Sequence, residues 1–196
     1  MQKYIMPPLP RALFRPRSIE PVLQRALREF PSLLLTGPRQ SGKTTLLQKV
    51  LENRANYVLL DQPDVLDSAL ADPRGFLDSH PTPVILDETQ KAPGLLPYVK
   101  ARIDQDRKAK GRFILTGSQN LLLHSGVSES LAGRVAVLNL LPLSQKELSG
   151  RPGDPLPWDT GSKPIPSSEA RLPAGIWPRL RRGFFPEIAL APRRDA

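Results

Sequence analysis

The residues with the clearest chemistry form one eight-residue stretch, 37–44, which fits the phosphate-loop pattern G-x-x-x-x-G-K-[ST] at every fixed position. An apolar run of strand length, residues 32–36, precedes it, and a helical sequence follows from Thr45. A turn between a strand and a helix N-terminus binds anions, because backbone N–H groups converge there and the helix dipole adds partial positive charge. The stretch therefore predicts a site for nucleotide phosphates.

Individual residues of this stretch have predicted roles. Lys43 is expected to reach the β and γ phosphates, and the Thr44 hydroxyl is expected to bind Mg²⁺. Gly37 and Gly42 would allow backbone angles and a close phosphate approach that a Cβ would block. The predicted phosphate-binding residues are Gly37, Pro38, Arg39, Gln40, Ser41, Gly42, Lys43, Thr44 and Thr45.

A second motif places two carboxylates directly after an apolar run, residues 83–86. This is the form of a Walker B strand, which is buried on both faces in a parallel sheet and ends where ligands bind. Asp87 is predicted to hold the Mg²⁺ shell through water, and Glu88 to polarise the water that attacks the γ-phosphate. For Asp61, at the end of another predicted strand, a nucleotide contact and a loop cap both remain open.

A third apolar run, residues 112–115, ends in small polar residues that suit a γ-phosphate sensor. Ser118 is the first choice for this role, followed by Thr116 and Gln119, and a hydroxyl that satisfies the turn backbone is the alternative. Arg134 precedes the predicted fifth strand, 135–140, and therefore lies at the sheet end opposite the strand tips. It is not expected to reach the γ-phosphate of its own subunit, although a loop could carry it to a neighbour's.

Other patterns predict the elements around these motifs. Apolar positions repeating at three and four, Val22 among them, predict a helix over residues 19–30 with Ser18 as its N-cap. Further predicted elements are a strand at 57–61, a helix at 64–71 and a helix at 93–110 with Gly111 as its C-terminal glycine.

Composition limits the class of protein. The 196 residues suit one domain with an appendage, and the absence of cysteine excludes disulfides and Cys-based metal sites. No apolar run approaches the roughly 20 residues of a membrane span, and the first residues lack the apolar core of a signal peptide, so a cytoplasmic location is expected.

The net charge of +9 is concentrated at the ends, with six Lys and Arg against two acids in residues 1–30 and eight against five in residues 149–196. A nucleic-acid partner and solvated arginines both fit this pattern, and no nucleic-acid-binding motif is visible.

The motifs in this order resemble a prokaryotic family of predicted AAA-type ATPases, whose members usually carry a further C-terminal domain. The resemblance rests on the phosphate loop, Leu-Asp-Glu at 86–88, Thr-Gly-Ser-Gln at 116–119 and Ser-Leu-Ala-Gly-Arg at 130–134, and it covers roughly residues 17 to 148. It implies an α/β three-layer P-loop NTPase fold with a mainly parallel five-stranded sheet in the order 5-1-4-3-2. It also implies that Lys43, Thr44, Asp87 and Glu88 carry ATP and Mg²⁺. By the same likeness, Arg134 becomes a candidate arginine finger acting in trans within a homo-oligomer.

The expected organisation is an extended segment at 1–17, an ATPase domain at 18–148, and a Pro- and Arg-rich linker with the start of a C-terminal region at 149–196. The expected function is ATP binding with slow Mg²⁺-dependent hydrolysis to ADP and phosphate, activated by self-association or a partner. The alternative is a nucleotide-controlled binding switch, with DNA as one candidate partner and with little or no hydrolysis. A small-molecule kinase is disfavoured because no acceptor-binding lid is evident, and the lack of an Asn-Lys-x-Asp motif favours ATP over GTP.

Overall fold

Five short apolar runs form a parallel sheet at the centre of the chain. The structure, a computed structural model, describes residues 14–52, 54–117, 131–154 and 176–191. The strands are β1 Ser32–Thr36, β2 Asn56–Leu59, β3 Val84–Asp87, β4 Phe113–Gly117 and β5 Val135–Asn139. The sheet order is β2-β3-β4-β1-β5, and every pairing is parallel. This confirms the α/β fold and the strand order that the family resemblance implied.

Helices cover both faces of the sheet. Because side chains alternate across a strand, Leu34, Leu86 and Leu115 join one apolar cluster, whereas Leu33 and Leu35 join the other. The first cluster packs under α3, α4 and α5, and the second under α1 and α2, which gives three layers. The described helices are α1 Glu20–Glu29, α2 Lys43–Leu51, α3 Pro63–Ala71, α4 Pro73–Ser79, α5 Leu96–Gln105, α6 Gln145–Leu148, α7 Ile176–Arg182 and α8 Pro186–Ala189, with 3₁₀ turns at Thr89–Lys91 and Pro93–Leu95.

The start of α1 differs from the predicted one. Ile19 is the N-cap residue of α1, and no side chain caps the helix. Ser18 instead donates its hydroxyl to the carbonyl of Pro152 at 2.8 Å. Val22 is 52% exposed, so the buried stripe of the helix is narrower than the apolar periodicity indicated.

The boundaries of two other elements also shift, and one unpredicted helix is present. The second strand ends at Leu59, so Asp61 lies beyond it. Asp72 accepts a hydrogen bond from the N–H of Gly75 and thereby caps α4, a helix that no sequence pattern had indicated. Helix α5 ends at Gln105, and Gly111 is not its C-terminal glycine. Gly111 has a left-handed φ of +62° and donates its N–H to the carbonyl of Phe30, and it leads directly into β4.

Candidate nucleotide-binding site

The phosphate loop links the end of β1 to the start of α2, and its two glycines are required for different reasons. Gly42 has a φ of +92°, whereas the atoms nearest to the place where a Cβ would lie are 3.6 Å from it, so the backbone angle is the constraint. Gly37 has a φ of +149°, and a Cβ there would lie 2.2 Å from the carbonyl oxygen of Leu140. Gly37 therefore permits close packing against the chain that follows β5, in addition to the close phosphate approach that was predicted for it.

Lys43 is held inside the loop. Its side chain is buried, and its Nζ donates to the carbonyls of Gly37 at 3.0 Å and Pro38 at 2.9 Å. Burial lowers the pKa of Lys43, and the nearby carboxylates of Glu88 and Asp87 oppose this shift. The Lys43 ammonium is thus held by carbonyls of the loop itself, and both the predicted metal-binding carboxylate of Asp87 and the predicted catalytic carboxylate of Glu88 act on its charge.

Asp87 lies at the end of β3 and is 4% exposed. Its Oδ2 accepts hydrogen bonds from the hydroxyls of Thr44, at 2.8 Å, and Tyr57, at 2.5 Å. Its Oδ1 accepts from the Thr116 hydroxyl and from the backbone N–H of Glu88, at 3.1 Å. The structure therefore brings Thr44 and Asp87 together, and Tyr57 is a partner that no sequence signal had pointed to.

Glu88 follows Asp87 in a left-handed conformation with a φ of +60°. A residue with a Cβ adopts this conformation at a cost of about 1–3 kcal/mol, and such residues cluster at functional sites. The Gln90 amide donates to the Glu88 carboxylate, and the Thr89 hydroxyl donates to the carbonyl of Leu86 at 2.8 Å, which anchors the turn. Gln90 is a second residue without a predicted role that contacts a predicted catalytic group.

Lys43, Thr44 and Glu88 line one cavity of about 330 Å³, a volume within the range of small-molecule sites, and Asp87 is hydrogen-bonded to Thr44. Part of its wall comes from the C-terminal helix α8, which the sequence patterns did not connect with the loop. Hydroxyl, carboxylate and phosphate oxygens are the ligands that Mg²⁺ prefers, so Thr44 and Asp87 fit a nucleotide-bound magnesium ion. Within the described ranges there is no group of three or more His, Cys, Asp or Glu side chains placed to hold a metal ion. The cavity is lined by Arg39, Gln40, Gly42, Lys43, Thr44, Thr45, Glu88, Pro186 and Glu187.

The remaining predicted residues lie elsewhere. Ser118 and Gln119 fall outside the described residues. Thr116 is fully buried, and its hydroxyl is directed at Asp87. Arg134 makes a two-pronged ion pair with Asp104, at 2.8 and 3.1 Å, and its carbonyl accepts from Ser32 at the start of β1. Arg134 thus lies at the N-terminal end of β1, whereas the phosphate loop follows its C-terminal end. At about 3.3 Å per residue, the length of β1 separates the two by roughly 13 Å or more, as the sequence position of Arg134 predicted.

Asp61, for which two roles were left open, forms a half-exposed ion pair with Lys91 at 3.2 Å. Lys91 ends the 3₁₀ turn that follows Glu88, so this contact joins the loop after β2 to that turn. The ion pair is a structural role that neither of the two predictions for Asp61 included.

A buried ion pair supports the phosphate loop from behind. Arg17 donates Nη1 to the carbonyl of Ser41 at 3.0 Å, Nη2 to the carbonyl of Leu141 at 2.5 Å and Nε to Glu147 at 3.2 Å. The side chains of Arg17 and Glu147 are 5% and 6% exposed. In the sequence, Arg17 is one of several arginines in a Pro- and Arg-rich stretch, and no local signal distinguishes it from the solvated ones.

The sheet order, the phosphate loop after β1 and the carboxylate pair after β3 define the class of protein: it has the P-loop NTPase fold. A family described as an AAA domain matches residues 29–149, and the chain belongs to this family. Membership in the family indicates a nucleotide-binding domain of the P-loop ATPase type. Within the described residues, no helix is both long and apolar enough to cross a membrane.

The chain is also similar to curated relatives and to solved structures. Uncharacterized proteins of Mycobacterium tuberculosis and Mycobacterium bovis are each 37% identical to the chain over 150 residues, which is 76% of this chain and 33% of theirs. The chain therefore spans about a third of the length of these curated relatives. The Walker-type ATPase of Pyrococcus abyssi is similar with a TM-score of 0.44 and 20% identity, covering 65% of this chain and 53% of that one. A signal-transduction ATPase with a tetratricopeptide repeat sensor from Pyrococcus horikoshii is similar with a TM-score of 0.41 and 16% identity, covering 70% and 26%.

Proposed function

We propose that this protein binds ATP with Mg²⁺ and hydrolyses it slowly to ADP and phosphate. The observation that carries the proposal is that Lys43, Thr44 and Glu88 line one cavity beside the phosphate loop, with Asp87 hydrogen-bonded to Thr44. Each group has the chemistry that phosphoryl transfer to water needs: a cation for the phosphates, oxygens for the metal and a carboxylate for the water.

In this proposal, the chain contributes positioning and charge. The ammonium of Lys43, which now donates to two loop carbonyls, would turn to the β and γ phosphates. Thr44 and Asp87 would hold Mg²⁺, which neutralises charge on the phosphate oxygens. Glu88 would orient and polarise the attacking water once its carboxylate is released from Gln90.

Slow turnover is expected for the isolated chain. An arginine finger contributes about 10³–10⁵ in rate to P-loop enzymes. Within the described residues, Arg39 lines the cavity, but it is an exposed residue of the phosphate loop itself. Arg134 of the same chain lies at the opposite end of the strands and is paired with Asp104. A second copy of the chain, contributing Arg134 in trans, would therefore raise the rate.

The test is Mg-ATP binding by calorimetry, with phosphate release followed on the same sample at several protein concentrations. Lys43→Ala should abolish binding, whereas Lys49→Ala, on the exposed side of the same helix, should bind as the wild type does. Glu88→Gln should bind but release no phosphate. Hydrolysis that is unchanged in Glu88→Gln would remove Glu88 from its role, and a wild-type chain that binds no nucleotide would refute the proposal.

A second candidate is a nucleotide-controlled switch with little hydrolysis, and the position of α8 favours it. Pro186 and Glu187 line the cavity, and α8 is separated by three residues from α7, which carries Arg179, Arg181 and Arg182. Nucleotide entering the cavity would therefore contact a segment joined directly to a basic helix. Salt-dependent DNA binding that differs between the ATP and ADP states would support this function, and no DNA binding at low salt would exclude the DNA-associated form.

A further inference from the structure

The carboxylate of Asp87 is fully occupied by donors of the chain. An ionised carboxylate offers about four lone-pair positions. Three hydroxyls, those of Thr44, Tyr57 and Thr116, donate to its two oxygens, and so does the backbone N–H of Glu88, which is shared with the Thr116 hydroxyl oxygen at 3.3 Å. A water of a magnesium shell also donates a hydrogen bond when it binds a carboxylate. For such a water to bind Asp87, one of the four donors must withdraw.

Three of the four donors are fixed by their place in the fold. Thr116 lies inside β4 and is fully buried, and the N–H of Glu88 belongs to the backbone at the end of β3. Thr44 is in the first turn of α2, where its hydroxyl oxygen can bind the metal while its proton still points at Asp87. These three donors can stay in place when magnesium binds.

Tyr57 is the donor that can withdraw. It lies on β2, which is an edge strand, and its side chain is partly buried against the cluster under α1 and α2. Leu59 of β2 pairs with Asp87 of β3, and Tyr57, two residues before Leu59, lies on the same face of the sheet. The Tyr57 hydroxyl therefore reaches Asp87 diagonally across the two neighbouring strands, at 2.5 Å. Rotation of one side chain at the sheet edge removes this contact without disturbing the strand pairing.

We propose that the Tyr57 hydroxyl competes with the hydration shell of Mg²⁺ for Asp87 and so raises the magnesium concentration at which the nucleotide site fills. This inference rests on the proposed nucleotide function. Tyr57 acts through Asp87 and is a positioning residue, not a group that touches the nucleotide. Tyr57 therefore affects the magnesium concentration needed for nucleotide binding, whereas nucleotide affinity in the absence of metal does not depend on Tyr57.

The test compares the full chain with Tyr57→Phe, which removes the hydroxyl and keeps the ring. Binding of a fluorescent ATP analogue is measured in EDTA and across a magnesium titration, and Mn²⁺ binding to the nucleotide complex is followed by electron paramagnetic resonance. The half-saturating Mg²⁺ and Mn²⁺ concentrations should fall about tenfold or more, as expected when a hydrogen bond to a charged group no longer competes. Affinity in EDTA should stay unchanged. Tyr98→Phe, a tyrosine 36% exposed on α5, is the matched control and should behave as the wild type does.

A second measurement leaves residue 57 intact. The chain contains three tyrosines, so fluorotyrosine labelling gives three resonances, which Tyr98→Phe and Tyr4→Phe assign by elimination. Adding Mg²⁺ to the nucleotide-bound protein should shift the Tyr57 resonance and leave that of Tyr98 in place.

The outcomes separate the inference from the proposed function. Unchanged or higher half-saturating metal concentrations in Tyr57→Phe, or a Tyr57 resonance that magnesium does not move, would overturn the inference and leave ATP binding intact. Wild-type protein that binds nucleotide equally in EDTA and magnesium would overturn it as well. Wild-type protein that binds no nucleotide would overturn both.

Discussion

The ion pair between Arg17 and Glu147 gives a stability prediction with a large expected effect. Both side chains are almost fully buried, and the Glu147 carboxylate accepts from Arg17 Nε at 3.2 Å, from the N–H of Ser18 at 2.8 Å and from the N–H of Ser144 at 2.6 Å. Glu147→Gln replaces one acceptor oxygen by an NH₂ group that faces donors. It also leaves the Arg17 cation buried without its counter-charge.

The magnitude follows from this environment. Breaking a buried ion pair by removing one partner typically costs about 3–5 kcal/mol. For a chain of this size each kcal/mol lowers Tm by about 2–4 °C, so Glu147→Gln should unfold roughly 6–20 °C below the wild type.

The assay is thermal unfolding at pH 7, followed by circular dichroism and supported by urea titration. Glu29→Gln is the control, because Glu29 forms an exposed pair with Arg25 on α1 and exposed pairs contribute little. A Tm for Glu147→Gln as close to the wild type as that of Glu29→Gln would refute the reasoning.

The same pair sets a pH dependence. Burial alone would raise the pKa of Glu147, but the Ser144 and Ser18 N–H groups and Arg17 outweigh it, and the pKa lies below its ordinary value of 4.5. Stability from this group is therefore fully present above about pH 4.5 and is lost as the pH falls through the lower folded pKa. The Tm difference between wild type and Glu147→Gln should be constant above that pH and shrink below it.

Three further predictions concern the site itself. Gly37→Ala should lower Tm and abolish ATP-analogue binding, since its Cβ would overlap the carbonyl of Leu140; normal binding would show that the loop can move away. Gln90→Ala should raise phosphate release severalfold at unchanged nucleotide affinity, because it frees the Glu88 carboxylate, and a fall would mean that Gln90 orients Glu88 for chemistry. Arg134→Ala should bind ATP normally but lose any more-than-linear rise of phosphate release with protein concentration; a rise that persists would exclude Arg134 as a trans-acting residue.

The sequence predicted those parts of the fold that depend on local pattern. Apolar runs of four or five residues located the strands, because a parallel strand is buried on both faces and leaves little room for polar residues. The motifs located the phosphate loop and the Asp87–Glu88 pair, because each motif consists of residues that are close together in the sequence. The strand order, by contrast, came from resemblance to a family, since periodicity carries no information about which strands are neighbours.

The residues that no sequence pattern indicated act through contacts between distant positions. Tyr57 meets Asp87 across 30 residues, and Arg17 meets Glu147 across 130. In its local sequence, Tyr57 is indistinguishable from any half-buried strand residue, and Arg17 from a solvated arginine. Each of the two residues is distinguished by its burial and by its specific partner. Burial and partner are known only from the three-dimensional structure.

These distant contacts change how the phosphate loop should be understood. The loop pattern supplies glycines and a lysine, but the neighbours of the loop come from three other parts of the chain. Arg17 binds the carbonyl of Ser41 from before α1, Leu140 packs on Gly37 after β5, and Pro186 of α8 lies against Gly42. The carbonyl of Phe184 accepts from the N–H of Leu143, which ties α8 to the same region. Because each neighbour belongs to a segment outside the motif, a change in any of these segments acts on the loop directly.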